Sequence, residues 1–426
     1  MTDTIPSEIA KRVSQSLGKR HRAETCLILL GKIAVYGSLL VLASLLTFVS
    51  VIGTSTIKKT VIDIPVYVDA SVIDPTGERD PVLLARANYQ ALITKALHSK
   101  FPDVKKRRDR RALKKILSIG AEYELKELVL ANPELIGKIS AYTFTASSDV
   151  DIWLKSAKDN SSKLLKIKQI EWVERFAAEG TLRQVFNNSF LTNGDSREPE
   201  LAGIWGAMIG SILTLAVCIG LSFPIGVMAA IYLEELAPKN KLTRAIEVNI
   251  SNLAAVPSII FGILGLALFL NFFGVPRSAP LVGGMVLALM TMPTIVITAR
   301  ASIQAVPPSI REAALGLGAS EIQTIFHHVI PLAMPGILTG SIIGMARALG
   351  ETAPLLIVGM AAFIADAPTN VTEPATVLPV QIYLWADSPE RGFVEKTGAA
   401  IMVLLVFLIT MNSVAIYLRN KFETKW

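Results

Sequence analysis

Cysteine is nearly absent: Cys26 and Cys218 are the only two in 426 residues, and both fall at or within apolar runs, which excludes a disulfide framework and a cysteine metal site. No G-x-x-x-x-G-K-[ST] phosphate loop occurs anywhere, so the chain does not hydrolyse nucleotide by that device. Between Thr54 and Glu200 there is no Ser-His-Asp set, no recognisable pair of catalytic carboxylates and no metal-ligand spacing, and His98 stands alone there as a surface residue. No catalytic residue, metal or cofactor is expected. What the chain has in abundance is apolar sequence, 51% of its residues. Several runs exceed 18 residues, long enough to cross a bilayer, which makes this a polytopic membrane protein surrounded by membrane lipids. Its net charge of +7 reflects loops and one basic segment, and a nucleic-acid role is disfavoured.

The apolar runs lie at Leu27 to Ile52, Leu201 to Leu233, Ile246 to Phe273, Leu281 to Ala299, Pro331 to Phe363 and Thr397 to Leu418, which predicts six transmembrane helices. Lys11, Arg12, Lys19, Arg20 and Arg22 precede the first run, which places the N-terminus in the cytoplasm and makes that run an uncleaved span. The later loops agree. Lys239, Lys241, Arg244, Arg300, Arg311, Arg419, Lys421 and Lys425 then fall inside, whereas Asp366, Glu373, Asp387 and Glu390 fall outside. The predicted organisation is a cytoplasmic segment 1–26, a first span 27–53, a soluble periplasmic domain 54–200 and a five-helix membrane domain 201–426 with a cytoplasmic loop at 300–330. The localisation is an inner, cytoplasmic membrane with both termini inside.

Residues 54–200 carry dense charge and no long apolar run. A strand-like stretch at Val61 to Val72 and helical stretches at Pro81 to Leu97, Lys105 to Ala131 and Trp153 to Glu179 predict an inserted α+β domain. Its basic run Lys105 to Arg111, with Lys114 and Lys115, reads as a solvated helix face. The alternative is a surface for anionic headgroups or solutes, at about 1 kcal/mol per basic residue near a charged surface.

Two stretches carry chemistry. In the first, Pro307 to Gly344, the polar half cannot sit in lipid although apolar runs flank it. Pro308 and Ser309 start a helix on which Ile310, Ala313, Ala314 and Leu317 recur at helical spacing; Gly318 ends or bends it, and a further helical piece from Glu321 is expected to stop before Pro331. In the second, Arg347 and Glu351 lie four apart within the fifth run. Counting 1.5 Å per residue from Gly336 puts Arg347 about 16 Å deep. An ionisable pair at that depth is costly, which marks a functional site or, in the alternative, a salt bridge tying helices together. Gly206 and Gly210, and Gly336, Gly340 and Gly344, place small residues four apart for close helix packing. Pro224, Pro257, Pro293 and Pro354 imply kinks or breaks.

Glu312-Ala313-Ala314, then Gly318 and Pro331, resembles the EAA loop of ABC importer permeases, the helix that docks on the ATPase subunit; His328-Val329-Ile330-Pro331 departs from that pattern at two positions. Ala346 to Pro354 and Leu253 to Gly262 resemble the corresponding segments of the PstA-type permeases of phosphate ABC importers. The resemblance covers about the last half of the chain and leaves 54–200 without a role. It implies the ABC importer permease fold, a PstC-type second permease subunit, a PstB-type ATPase in the cytoplasm and a PstS-type periplasmic phosphate-binding protein. Phosphate is then the substrate, Arg347 and Glu351 line its path, and Glu312, Ala313, Ala314, Gly318 and Pro331 form the docking loop. Open alternatives are a permease for another oxyanion or small solute, and, in a different class, an ATP-independent channel or membrane sensor.

Overall fold

The computed structural model describes residues 8–156, 164–361 and 363–422. Of the expected features, residues 1–7, the side chains of Lys11, Arg12 and Lys19, the middle of the Trp153 to Glu179 helix at 157–163, and Lys425 lie outside what is described. The chain divides into two compact units, residues 1–52 and 53–426. In the first, residues 8–52 lie in the helix Glu8–Thr54, and its leucines and isoleucines from Leu27 to Leu46 stand exposed, as expected of a surface made for lipid.

In the second unit the inserted domain forms a small sheet of order β2-β1-β3, with β1 Lys58–Tyr67, β2 Ile139–Thr145 and β3 Leu182–Phe186, both pairings antiparallel. The central strand turns Ile62, Ile64 and Val66 into a core completed by Leu97, Phe101, Leu125, Phe144 and Phe176. Pro65 is tolerated in β1 because β3 pairs only as far as Ile62, which leaves that edge of Pro65 without a ladder to interrupt. Each expected long helix is in fact two. Pro81–Arg86 and Tyr89–Lys100 are separated where the Asn88 side chain accepts from Ala91 N at 3.0 Å and starts a new helix. Arg107–Lys114 and Ala121–Ala131 are separated where Ile116 and Leu117 turn into the core. Ser148–Lys155 and Ile167–Ala178 flank the undescribed stretch. The strand also ends earlier than its β-rich sequence suggests, because Asp69 caps a helical turn at Ala70–Ile73.

Among the described residues five helices are long and apolar enough to cross a membrane, and a sixth apolar run is folded in two: Lys241–Ala254 and Ser258–Phe272 meet at 102°. The break falls at Val256-Pro257, where the proline ring and its missing donor prevent the first helix from continuing. The Ile330–Gly350 helix packs on the Pro280–Gln304 helix through its small residues. A methyl group at Gly336 would lie 2.3 Å from Ser302 Oγ, and one at Gly340 2.0 Å from Thr298 Oγ1, so neither position accommodates a side chain without separating the helices. Gly210 does the same for a loop, since a Cβ there would lie 2.0 Å from the Thr376 carbonyl.

The inserted domain is seated on the start of the Gly392–Phe422 helix by partly buried ion pairs and one buried lysine. Lys155 Nζ reaches Asp151 Oδ2 at 2.5 Å and Glu395 Oε2 at 3.3 Å, Asp151 accepts from Thr60 N and Oγ1, and Lys396, 5% exposed, donates to the Ala202 carbonyl at 3.0 Å. Glu200 lines the same seam, and burial pushes its pKa up.

Candidate functional site

The polar loop is built largely as its spacing predicts. Helix covers Pro308–Gly316, with Pro308 at its first turn where a missing donor costs nothing. Gly318 then adopts φ +90°, a backbone region that a residue with a Cβ enters only under strain, and Ser320 caps the next helix by accepting from Gln323 N at 3.2 Å. The expected stop before Pro331 is not there. Glu321–Thr324 passes through a π-helical turn at Ile325–Val329 directly into Ile330–Gly350. Ile330 N bonds five residues back to the Ile325 carbonyl, and this widened turn makes room for the Pro331 ring and its absent donor.

Of the residues expected to dock, Glu312 and Ala313 are exposed, but Ala314 is buried. A bulky residue at 314 would therefore disturb packing beneath the loop rather than its outer face. That outer face is apolar as well as acidic: Leu315, Leu317, Ile322 and Phe326 are all exposed, Leu317 at 91%.

What holds the loop to the membrane helices was not apparent from the sequence. Arg311 donates through Nη2 to Glu235 Oε1 at 2.7 Å and to the Ile303 carbonyl at 3.0 Å, and through Nη1 to the Val306 carbonyl at 2.7 Å. It thus ties the loop helix both to the end of the Trp205 helix and to the last turn of the Pro280 helix and the residues just after it. Beside it Arg300 joins Glu234 at 3.2 Å and Glu247 at 2.9 Å, and Gln304 donates to Glu234 at 2.9 Å. The one sequence feature that could have pointed here is Glu234-Glu235 at the end of an apolar run, two acidic residues in need of cations.

At the other end of the Ile330 helix, Arg347 Nε lies 3.6 Å from Glu351 Oε1. The pair forms although the helix ends at Gly350 and Glu351 has extended backbone, so it closes over a helix terminus rather than along a helix face. The Arg347 side chain is 46% exposed. Next to it the chain folds into the short helix Ala353–Ile357, against which the elbow helix Ser258–Gly265 packs: a Cβ on Gly262 would lie 2.8 Å from Pro354 Cα. The segments Leu253 to Gly262 and Ala346 to Pro354 thus meet in space.

Other sequence candidates stay apart from this arrangement. His98 is half-buried in the inserted domain, where burial and then Arg110 and Lys114 push its pKa down, leaving it neutral at pH 7. Among the described residues no group of His, Cys, Asp and Glu could hold a metal. The basic run forms the helix Arg107–Lys114, with Asp109 paired to Lys168 at 2.6 Å.

Residues 222–424 match the family described as binding-protein-dependent transport system inner membrane component. The phosphate transport system permease protein PstA 1 of Mycobacterium tuberculosis is 32% identical over 223 residues, covering 52% of this chain and 72% of that protein. The chain belongs to the binding-protein-dependent transport permeases. Further relatives of the permease are the probable ABC transporter permease protein YqgI of Bacillus subtilis, 30% identical over 52% of this chain and 80% of the relative, and PstA of Haemophilus influenzae, 32% identical over 53% and 78%. Among solved structures an inward-facing MetNI methionine ABC transporter covers 52% of the permease and 98% of its own chain at 17% identity and TM-score 0.43. Residues 14–163 of the permease match a separate domain of unknown function, DUF3333. A subunit of this family is a multi-pass inner-membrane protein and not itself an enzyme; the ATPase is a separate subunit.

Proposed function

We propose that this permease is the PstA-type subunit of an ATP-driven phosphate importer, paired with a PstC-type subunit, powered by a PstB-type ATPase and supplied by a PstS-type binding protein. The observation that carries the substrate is the Arg347–Glu351 pair. It is held at one point, 3.6 Å apart, with the guanidinium half exposed, so most of its donors remain open to an oxyanion, for which its planar fork and permanent charge are suited. Relatives named as phosphate permeases support the same reading. ATPase closure would push on the Glu312 loop, and Arg311 would pass that displacement to the ends of the Trp205 and Pro280 helices. Uptake into vesicles by the assembled complex is expected to be inhibited by unlabelled phosphate and arsenate and not by sulfate. Equal inhibition by sulfate would assign the permease to another oxyanion.

In this reading the bent pair Lys241–Phe272 makes the sixth span, both termini are cytoplasmic, and residues 54–200 lie in the periplasm between a first span, 27–53, and the membrane domain, 201–426. Tyr123 is 57% exposed on the inserted domain. A Tyr123→Cys variant should react with an impermeant thiol reagent in cells whose outer membrane is permeabilised. Labelling only after the inner membrane is lysed would invert the topology.

A further inference from the structure

Where the inserted domain meets the last membrane helix there is a cavity of about 390 Å³, walled by side chains that include Phe186, Phe190, Met208, Met402, Val403 and Phe407. Three polar residues line it as well. Asn187 is turned to the Thr56 carbonyl at 3.0 Å and Thr410 to the Val406 carbonyl at 2.8 Å, so both have their hydrogen bonds elsewhere. The third, Thr56, has a buried hydroxyl with no partner. At the mouth of the cavity Ile57, Phe186 and Leu191 are 46%, 62% and 43% exposed and form an apolar rim. Lys58 is directly opposite Phe186 in the β1–β3 ladder, and residues directly opposite in an antiparallel ladder share a sheet face. The exposed lysine therefore stands on the same face as the ring that lines the cavity.

We propose that this cavity is a phospholipid site: an acyl chain fills the apolar volume and Lys58 meets the headgroup phosphate, favouring an anionic lipid. The placement argues for this occupant. Ala399 to Thr410 of the wall belong to a candidate span, and the rim belongs to the domain seated on the start of that helix, so, on the topology proposed above, the cavity crosses the level at which acyl chains give way to headgroups. An unfilled apolar cavity opening on lipid would leave its lining without contacts that the surrounding chains can supply.

The test is native mass spectrometry of the full chain, extracted from vesicles of equal dioleoyl phosphatidylglycerol and dioleoyl phosphatidylcholine. The wild type is expected to retain one phosphatidylglycerol. Val403→Trp, which fills the cavity, should lose it, and Val414→Trp, on the same helix but outside the cavity, should keep it. Lys58→Ala, an exposed change that leaves the fold intact, should reduce the preference for phosphatidylglycerol about fivefold, the effect of one basic residue at a charged surface. Equal retention by the two tryptophan variants would overturn the proposal. If Val403→Trp does not fold, as judged by circular dichroism, Lys58→Ala decides, and an unchanged lipid preference overturns it.

Discussion

Replacing Arg347 with glutamine is expected to leave a folded permease in the membrane and to abolish anion uptake. The variant keeps volume and polarity and removes the charge. A half-exposed pair joined at a single point contributes about 0–1 kcal/mol, so the single substitution strands little and expression should hold. The double variant Arg347→Gln, Glu351→Gln separates the two roles open to the pair. If Arg347 meets the passing ion, the double variant is as inactive as the single one. If the pair only ties helix ends together, neutralising both partners restores a stable and competent permease. Phosphate uptake by the double variant, assembled with its partner subunits and within about twofold of wild type, a difference of under about 0.5 kcal/mol, would remove Arg347 from the ion path.

The second large effect is expected at Arg311. Its guanidinium is the joint between the Glu312 loop and two membrane helices, and losing charged hydrogen bonds of this kind weakens a joint by about 2 kcal/mol. Arg311→Met should let the assembled importer hydrolyse ATP while phosphate moved per ATP falls about tenfold. Glu235→Gln retains an acceptor for the guanidinium and should fall less. Gly318→Ala should uncouple in the same direction, because a Cβ at φ +90° costs about 1–2 kcal/mol and shifts the turn that follows the docking helix; Gly316→Ala, which has open space around it, should not. An unchanged ratio in Arg311→Met would mean that displacement reaches the bundle by another route. Proteoliposomes with internal ATP give both quantities from one sample.

How much of this was readable in the chain follows from how local each determinant is. The loop helix, the turn at Gly318 and the exposed Glu312 rest on residues within one or two helical turns of each other, and their spacing displays them. The Arg347–Glu351 pair is likewise local, although its partner turned out to lie beyond the helix end. Pro331 misled because a proline is a local stop signal, while the π-helical turn that admits it depends on how residues 325–329 pack. Hydropathy reported residues 246–273 as one apolar run because it measures composition and carries no direction; only Pro257 hinted at the elbow. The ties Arg311–Glu235, Arg300–Glu234 and Arg300–Glu247 join residues 76, 66 and 53 positions apart. No periodicity within an element reaches that far. The split helices of the inserted domain did leave marks, Asn88 as a cap and Gly120 before a new start, but the apolar periodicity on either side masked them.

The charged seam under the inserted domain bears on the order in which the protein is made. Lys155 waits for Glu395, 240 residues later in the chain. At a synthesis rate of about 5–20 residues per second, that partner follows by roughly 12–48 seconds. Throughout that interval Asp151, Lys155 and Glu200 have no cover from the last helix. The domain can form its sheet early, but it can settle onto its seat only when the final hydrophobic segment has entered the bilayer. A chain truncated before residue 392 should therefore display a folded domain with an open, protease-sensitive underside.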